Sequence, residues 1–196
     1  MTTVVKQEAL EQELTRDELL AIKNKRTAVT VFQISWIMVF VCLSIVNLQI
    51  RSNFPTWPPP GVAALDRVLP TLATIGLIIS ALAARAGLQA IRLDEVGRFL
   101  SRWRIALALG AAFVLLMIYE WLAVEVDPQY GTLFRVMVAY HGIHALVIGY
   151  IMLRVYRTGS AGGYDSVRHW PVEGAAKLWY FVVVAWLLFY VVLYIL

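Results

Sequence analysis

The sequence predicts an all-α, polytopic membrane protein with five transmembrane helices. Three observations lead to this fold class. Of the 196 residues, 60% are hydrophobic and only 15% are charged, and the apolar residues lie in long runs separated by charged loops. A water-soluble domain of this length could not bury so much apolar surface. Lipid must therefore be the solvent, and the backbone must satisfy its own hydrogen bonds there.

Five apolar runs are each long enough to cross a hydrocarbon core of about 30 Å, which takes about 20 helical residues. Because they are continuously apolar rather than alternating, they favour helices over barrel strands. The predicted spans cover about residues 27–50, 69–91, 105–126, 133–156 and 175–196. The chain is thereby divided into a polar cytoplasmic N-terminal segment, residues 1–26, and one five-helix bundle, residues 27–196.

The charged residues indicate how the bundle is oriented. Basic residues are concentrated before the first span, between the second and third, and between the fourth and fifth. They are Lys23, Lys25 and Arg26, then Arg92, Arg98, Arg102 and Arg104, then Arg154, Arg157, Arg168 and Lys177. The positive-inside rule predicts a cytoplasmic N-terminus and an outside C-terminus. Orientation thus accounts for the net charge of +4, and we exclude a nucleic-acid partner.

The polar segment ahead of the first span contains a helix-start signal. Thr15, followed three residues later by Glu18, has the form of a capping box. It predicts a short helix that leads into the membrane. The rest of the segment is interpreted as a solvated tail, with docking to a partner as the alternative.

Small residues predict where the helices approach closely, because helices in lipid gain little from hydrophobicity and pack through small side chains. The second span carries such residues four apart, the fourth span has a similar stripe, and the third has a pair. These are Gly76, Ser80 and Ala84, then Gly142, Ala145 and Gly149, then Gly110 and Ala111.

Polar residues inside the spans are expensive and need a partner or a purpose. His141 and His144 share one helix face. Haem ligation by two histidines needs two helices, and the remaining histidine, His169, lies in a loop, so we reject haem; a metal would need further ligands. We interpret both histidines, with Glu120 and Glu173, as structural polar clasps. Glu120 is predicted to contact His141.

Three arginines are candidates for lipid binding. Arg85 lies inside the second span, near its cytoplasmic end, and Arg154 and Arg157 end the fourth span. Basic residues at such positions suit anionic phospholipid and the helix dipole. They equally suit ordinary orientation of the helix, and the residues alone leave both readings open. The sequence contains no nucleophile–base pair, phosphate-binding loop or metal motif, so no catalytic residue is predicted.

Four short motifs resemble one family in their order and spacing. They are Trp57-Pro58-Pro59, Tyr119-Glu120-Trp121, His141-Gly142-Ile143-His144, and Glu173 through Trp179 with the later Trp186. Together they resemble subunit III of the haem–copper oxidases, of the cytochrome c oxidase type. The likeness covers roughly Pro55 to Leu196, and five spans match the shorter bacterial form, which lacks two N-terminal helices.

The sequence departs from the family's pattern at two places. The family's last helix usually carries a His and an Asp where this chain has Tyr180 and Val183. The family also often has Glu-Gly-Asp after the second of these spans, and here only Asp94 remains. These losses bear on any role that needs those groups, such as proton handling within this subunit.

The resemblance implies a non-redox accessory subunit that stabilises the catalytic subunit and binds phospholipid in a cleft, through Arg154 or Arg157. It implies no cofactor in this chain, with haem and copper in partner subunits. The expected partners are oxidase subunit I, subunit II and phospholipid. The expected location is the bacterial cytoplasmic (inner) membrane, where the complex reduces oxygen to water and translocates protons. The alternatives are an accessory protein of nitric oxide reductase and a small stand-alone transporter or channel, which apolar helix middles disfavour.

Overall fold

The computed structural model describes residues 15–124 and 129–196. In chain order its helices are α1 (Arg16–Arg51), α2 (Val68–Arg92), α3 (Val96–Ala123), α4 (Tyr130–Ser160) and α5 (Trp170–Tyr190), and α5 continues as a π-helical turn, Val191–Ile195. Within these described residues, five helices are long and apolar enough to cross a membrane. The predicted all-α, five-helix fold class is therefore confirmed.

The start of α1 shows the predicted capping box. The Glu18 backbone N–H donates to the Thr15 hydroxyl at 3.3 Å, and the Thr15 backbone N–H donates to the Glu18 carboxylate at 3.0 Å. The predicted short helix is wrong in its length, because this helix runs without a break into the first span and reaches 36 residues. No glycine or proline interrupts the sequence between Arg16 and Arg51, so nothing ends the helix at the membrane surface.

The helix α5 lies at the centre of the bundle. It contacts α1, α2 and α4, whereas α3 packs between α2 and α4. Helix α1 has its main contacts with α5 and is exposed over most of its length. Consecutive helices alternate in direction. The starts of α1, α3 and α5 therefore share one end of the bundle with the ends of α2 and α4. We call this the basic end, because the arginine- and lysine-rich loops lie there.

Hydrogen bonds from buried tryptophans tie the helices together inside the apolar core. The Trp179 indole N–H of α5 donates to the Ser80 hydroxyl of α2 at 2.9 Å, and that hydroxyl donates to the Ala106 carbonyl of α3 at 2.7 Å. A second indole, of Trp186, donates to the Thr74 hydroxyl at 2.8 Å. Each buried indole finds an acceptor on another helix, so these bonds fix which helix faces meet.

Only some of the glycines in the predicted small-residue stripes lie where two helices come into close contact. A Cβ atom at Gly110 of α3 would lie 2.6 Å from the Trp179 ring of α5, so this glycine is needed for the contact. On α4, by contrast, a Cβ at Gly142 or Gly149 would meet nothing within 4 Å. The prediction that the α4 stripe makes a close helix contact is therefore wrong at these two glycines. Ala145, which lies between them, is buried.

Candidate functional site

Glu173 forms the centre of an ionic cluster at the basic end. Its Oε2 lies 2.9 Å from Nη2 of Arg26 and 3.9 Å from Nη2 of Arg92, and its Oε1 lies 3.1 Å from Nζ of Lys177. The carboxylate side chain is only 7% exposed. An acid in the first turn of a helix also suits the helix dipole. This basic-end cluster, Arg26, Arg92, Glu173 and Lys177, joins α1 and α2 to α5.

Several polar groups around the basic-end cluster lack a hydrogen-bond partner among the described residues. They are Nε of Arg92, Nδ1 of His169 and the hydroxyl of Tyr180. His169 immediately precedes α5 and is 7% exposed. Burial, with a smaller contribution from the Arg92 guanidinium, lowers the pKa of the His169 imidazole. Close to Glu173, the Arg92 Nε and the Tyr180 hydroxyl thus have no hydrogen-bond partner within residues 15–124 and 129–196.

The two histidines of α4 lie in an aromatic core. The His141 ring is 5.2 Å from that of Trp186 and 5.7 Å from that of Phe113, and neither of its nitrogens has a hydrogen-bond partner in the described part of the chain. The His144 ring packs edge-on against Trp36 at 4.5 Å, and its Nδ1 lies 2.7 Å from the Tyr140 carbonyl of its own helix. Ring packing is therefore the main contact that these histidines make with other helices.

The predicted contact between Glu120 and His141 is wrong as a hydrogen bond. The register of the antiparallel helices explains the error, because Phe113 is the α3 residue that packs on His141. Glu120 lies seven positions further along α3, which is about 10 Å at the rise of an α-helix. The neighbouring Trp121 instead donates to the Arg135 carbonyl at 3.0 Å. Glu120 is buried, but it lies nearer the opposite end of the bundle.

A double-mutant cycle on Glu120→Gln and His141→Phe should therefore be additive. Residues that share no contact usually add to within about 0.5 kcal/mol. The matched cycle on Arg26→Gln and Glu173→Gln should instead show coupling, because those side chains are 2.9 Å apart. Thermal unfolding of the four purified proteins in each cycle measures both. Coupling in the first cycle and additivity in the second would contradict the observed register.

The three arginines predicted to bind lipid lie at two separate places. Arg154 and Arg157 are exposed on α4, and the Arg154 guanidinium interacts with the Tyr150 hydroxyl one turn before it. Arg85 is exposed on α2. It lies two turns before Arg92 on the same helix, so it belongs to α2, whereas the other two arginines belong to α4.

An apolar groove lies between α3 and α4, and its lining extends along α4 as far as Leu153. Its volume is about 520 Å³, within the range of about 300–1,000 Å³ typical of small-molecule sites. Small residues on both helices leave the space, and the Trp179 indole is the one α5 side chain in its wall. The lining includes Gly110, Ala111, Gly149, Tyr150 and Leu153. The family resemblance implied a cleft but not its place between α3 and α4, for which small residues on these two neighbouring spans were the signal in the sequence.

Residues 15–124 and 129–196 contain no group of three or more His, Cys, Asp or Glu side chains that could hold a metal ion. Their geometry defines the class of the molecule: a multi-pass membrane protein whose polar contacts join helices. A family model described as "Cytochrome c oxidase subunit III" matches residues 7–196. The chain therefore belongs to the cytochrome c oxidase subunit III family, whose members are non-catalytic, accessory subunits of a haem–copper oxidase.

Several curated proteins are similar to the chain. "Cytochrome c oxidase subunit 3" of Synechocystis is 30% identical over 172 residues, which cover 86% of this chain and 74% of that protein. The protein of the same name from Thermostichus vulcanus is 33% identical over 171 residues, covering 85% and 84%. The one from Anopheles gambiae is 28% identical over 143 residues, covering 71% and 55%. The resemblance found in the sequence motifs is confirmed.

Proposed function

We propose that this chain is the non-redox subunit III that stabilises the catalytic subunit of a bacterial aerobic oxidase. The match of residues 7–196 to the family carries this proposal. The complex reduces oxygen to water and translocates protons, with haem and copper held by partner subunits. The chain lies in the bacterial inner membrane with its N-terminus in the cytoplasm; the cyanobacterial relatives and the position of the basic loops support this location.

Unpartnered apolar faces support a role in packing against a larger membrane subunit. Helix α1 has only 11% of its most apolar stretch buried inside the chain, against 50% for α5. Large side chains such as Ile34, Met38 and Ile45 are more than half exposed on α1. Such surface is suited to another subunit or to lipid, since both are apolar.

Affinity purification of the tagged chain from its native membrane tests the assignment. We expect subunits I and II to be recovered with it, together with the visible spectrum of the haems. Deleting the chain should lower the thermal stability of the remaining oxidase. Recovery without any haem–copper subunit would contradict the proposal, and recovery with a nitric oxide reductase would favour that alternative.

We also propose that the groove between α3 and α4 holds an acyl chain of a phospholipid whose phosphate contacts Arg154, with Arg157 nearby. The groove supplies an apolar wall of suitable size, and Arg154 lies next to Leu153 at the groove's edge. An arginine near a membrane surface recognises phosphate through charge and paired hydrogen bonds.

Two substitutions should each reduce the lipid that is retained in this groove. Arg154→Ala removes the charge that contacts the phosphate, and Gly149→Leu fills the groove with a side chain. We expect each protein to keep several-fold less phospholipid than the wild type, as measured by native mass spectrometry. Arg168→Ala, which removes an exposed charge in a loop, is the matched control. Wild-type retention by both variants would count against the groove.

A further inference from the structure

A small pocket lies at the end of the bundle opposite the basic end. The connection between α1 and α2 forms one side of it, and the start of α4 and the π-helical turn after α5 form the other. Its volume is about 50 Å³, and its lining includes Arg51, Trp57, Arg67, Tyr130 and Tyr194. One water molecule needs about 10–15 Å³ of such space. The pocket therefore admits a group of a few atoms, such as one carboxylate, and no bulky ligand.

Contacts within the chain hold the two sides of this pocket together. The Leu65 backbone N–H donates to the Tyr130 hydroxyl at 3.2 Å, and the Trp57 ring packs edge-on against the Tyr130 ring with their centroids 5.1 Å apart. Tyr130 is only 8% exposed at the start of α4. Because the α1–α2 connection is tied to α4 in this way, the pocket is formed before any ligand enters it, which lowers the cost of binding.

Two arginines in the wall of the pocket carry unpaired charge. Neither the Arg51 nor the Arg67 guanidinium forms an ion pair or a hydrogen bond with the described part of the chain. The acid next in sequence, Asp66, accepts a hydrogen bond from the Val68 backbone N–H at 3.1 Å, at the start of its own helix. Arg67 is exposed and Arg51 is partly buried. Both positive charges can therefore be reached by a group that enters from outside.

A buried hydroxyl adds a hydrogen-bond donor to the same wall. Tyr194 is 3% exposed, and its hydroxyl has no partner among the residues that the structure describes. Buried polar groups in native proteins are almost always hydrogen-bonded. The ligand that suits this pocket is therefore small, negatively charged and able to accept several hydrogen bonds.

A carboxylate from a neighbouring protein matches these requirements better than a lipid headgroup does. Its two oxygens accept the paired hydrogen bonds that a guanidinium offers, and it fits the volume. Tryptophan, tyrosine and arginine, which line the pocket, are also the residues enriched at the centres of protein interfaces. The pocket shares no lining residue with the apolar groove between α3 and α4, so it offers no such groove to an acyl chain.

We propose that this pocket receives the carboxylate of an Asp or Glu side chain from a neighbouring subunit. Arg51 and Arg67 bind its oxygens, and the Tyr194 hydroxyl is a further donor. The inference rests on the proposed function, because it requires a partner subunit, and it adds that the partner reaches over the end of the bundle opposite the basic end. An ion pair there fixes the position of the partner, which apolar helix faces alone specify poorly.

The variant Arg67→Lys tests the proposal, because it gives the pocket an amine. In the purified complex, a carbodiimide joins this amine to a carboxylate within reach through an amide bond, and mass spectrometry of the digest identifies the residue. We expect a crosslink to an Asp or Glu of another subunit. Arg104→Lys, at an exposed arginine of α3 near the basic end, is the matched control. Absence of a crosslink between subunits, or an equal yield to the same acidic residue from the control, would overturn the proposal.

The double variant Arg51→Gln, Arg67→Gln measures how much the pocket contributes to assembly. We expect this chain to leave the purified complex several-fold faster than the wild type, since charge-assisted contacts across the interface are lost. The isolated chain should keep its thermal midpoint, because neither guanidinium is bonded within the described residues. A lowered midpoint with unchanged dissociation would assign the two arginines to the fold and contradict the proposal.

The lipid retained by the same double variant separates a protein carboxylate from a headgroup. If native mass spectrometry showed less bound phosphatidylglycerol while the chain stayed in the complex as the wild type does, the pocket would hold a phosphate and the proposal would be wrong. Normal recovery of the oxidase subunits without a crosslink would leave the subunit assignment standing. Recovery of no haem–copper subunit would defeat both proposals.

Discussion

Gly110→Ala should lower the free energy of unfolding by about 1–3 kcal/mol, the usual cost of overpacking a filled core. The new Cβ would lie 2.6 and 2.7 Å from two ring carbons of Trp179. That indole cannot simply turn away, because its N–H donates to the Ser80 hydroxyl of α2. Either α3 moves out from α5, or the hydrogen bond breaks. Thermal unfolding of the purified protein measures the loss.

Gly149→Ala is the matched control, since it makes the same chemical change on α4 beside the same groove. A Cβ at this position meets nothing within 4 Å, and alanine favours a helix over glycine by up to about 1 kcal/mol. The control should therefore be neutral or slightly stabilising. Equal losses from both substitutions would show that the Gly110 contact has no special weight in the bundle.

Ser80→Ala should destabilise the bundle by a similar amount, about 1–3 kcal/mol, the cost of leaving a buried donor without an acceptor. The Ser80 side chain is fully buried. Its hydroxyl accepts from the Trp179 indole of α5 and donates to the Ala106 carbonyl of α3. One small residue therefore links three helices, and its loss leaves the indole N–H unsatisfied in the apolar core.

Ser44→Ala is the comparison for this prediction. Ser44 is also buried, but its hydroxyl donates to the Phe40 carbonyl within its own helix, at 2.9 Å. Removing it breaks no bond between helices, so the unfolding midpoint should hardly change. The tryptophan fluorescence of Ser80→Ala should shift as Trp179 loses its acceptor. An unchanged midpoint and spectrum would exclude the proposed link.

The sequence predicts the five helices well, because twenty or more apolar residues in a row leave the chain few alternatives. The capping box at Thr15 is also predicted well, because its two hydrogen bonds join residues only three positions apart. The length of α1 is predicted less well. The apolar run begins near residue 27, but the helix begins eleven residues earlier, at Arg16. A helix extends beyond the membrane when no residue in the sequence stops it.

The polar contacts between helices show where prediction from sequence fails. Glu173 is predicted as a clasp, but its partner Arg26 lies 147 positions earlier and is predicted only as an orientation charge. The Glu120–His141 contact is predicted from shared depth in the membrane. Depth alone does not give the register of two antiparallel helices, and a shift of two turns is enough to separate the side chains.

The central place of α5 has a consequence for biosynthesis. It is the last of the five helices to leave the ribosome, yet it supplies the main contacts of α1, the first. Helix α1 is therefore in the membrane without its main neighbour while more than a hundred further residues are synthesised. During that interval α1 lacks its main contacts within the chain, which can form only once α5 has been made.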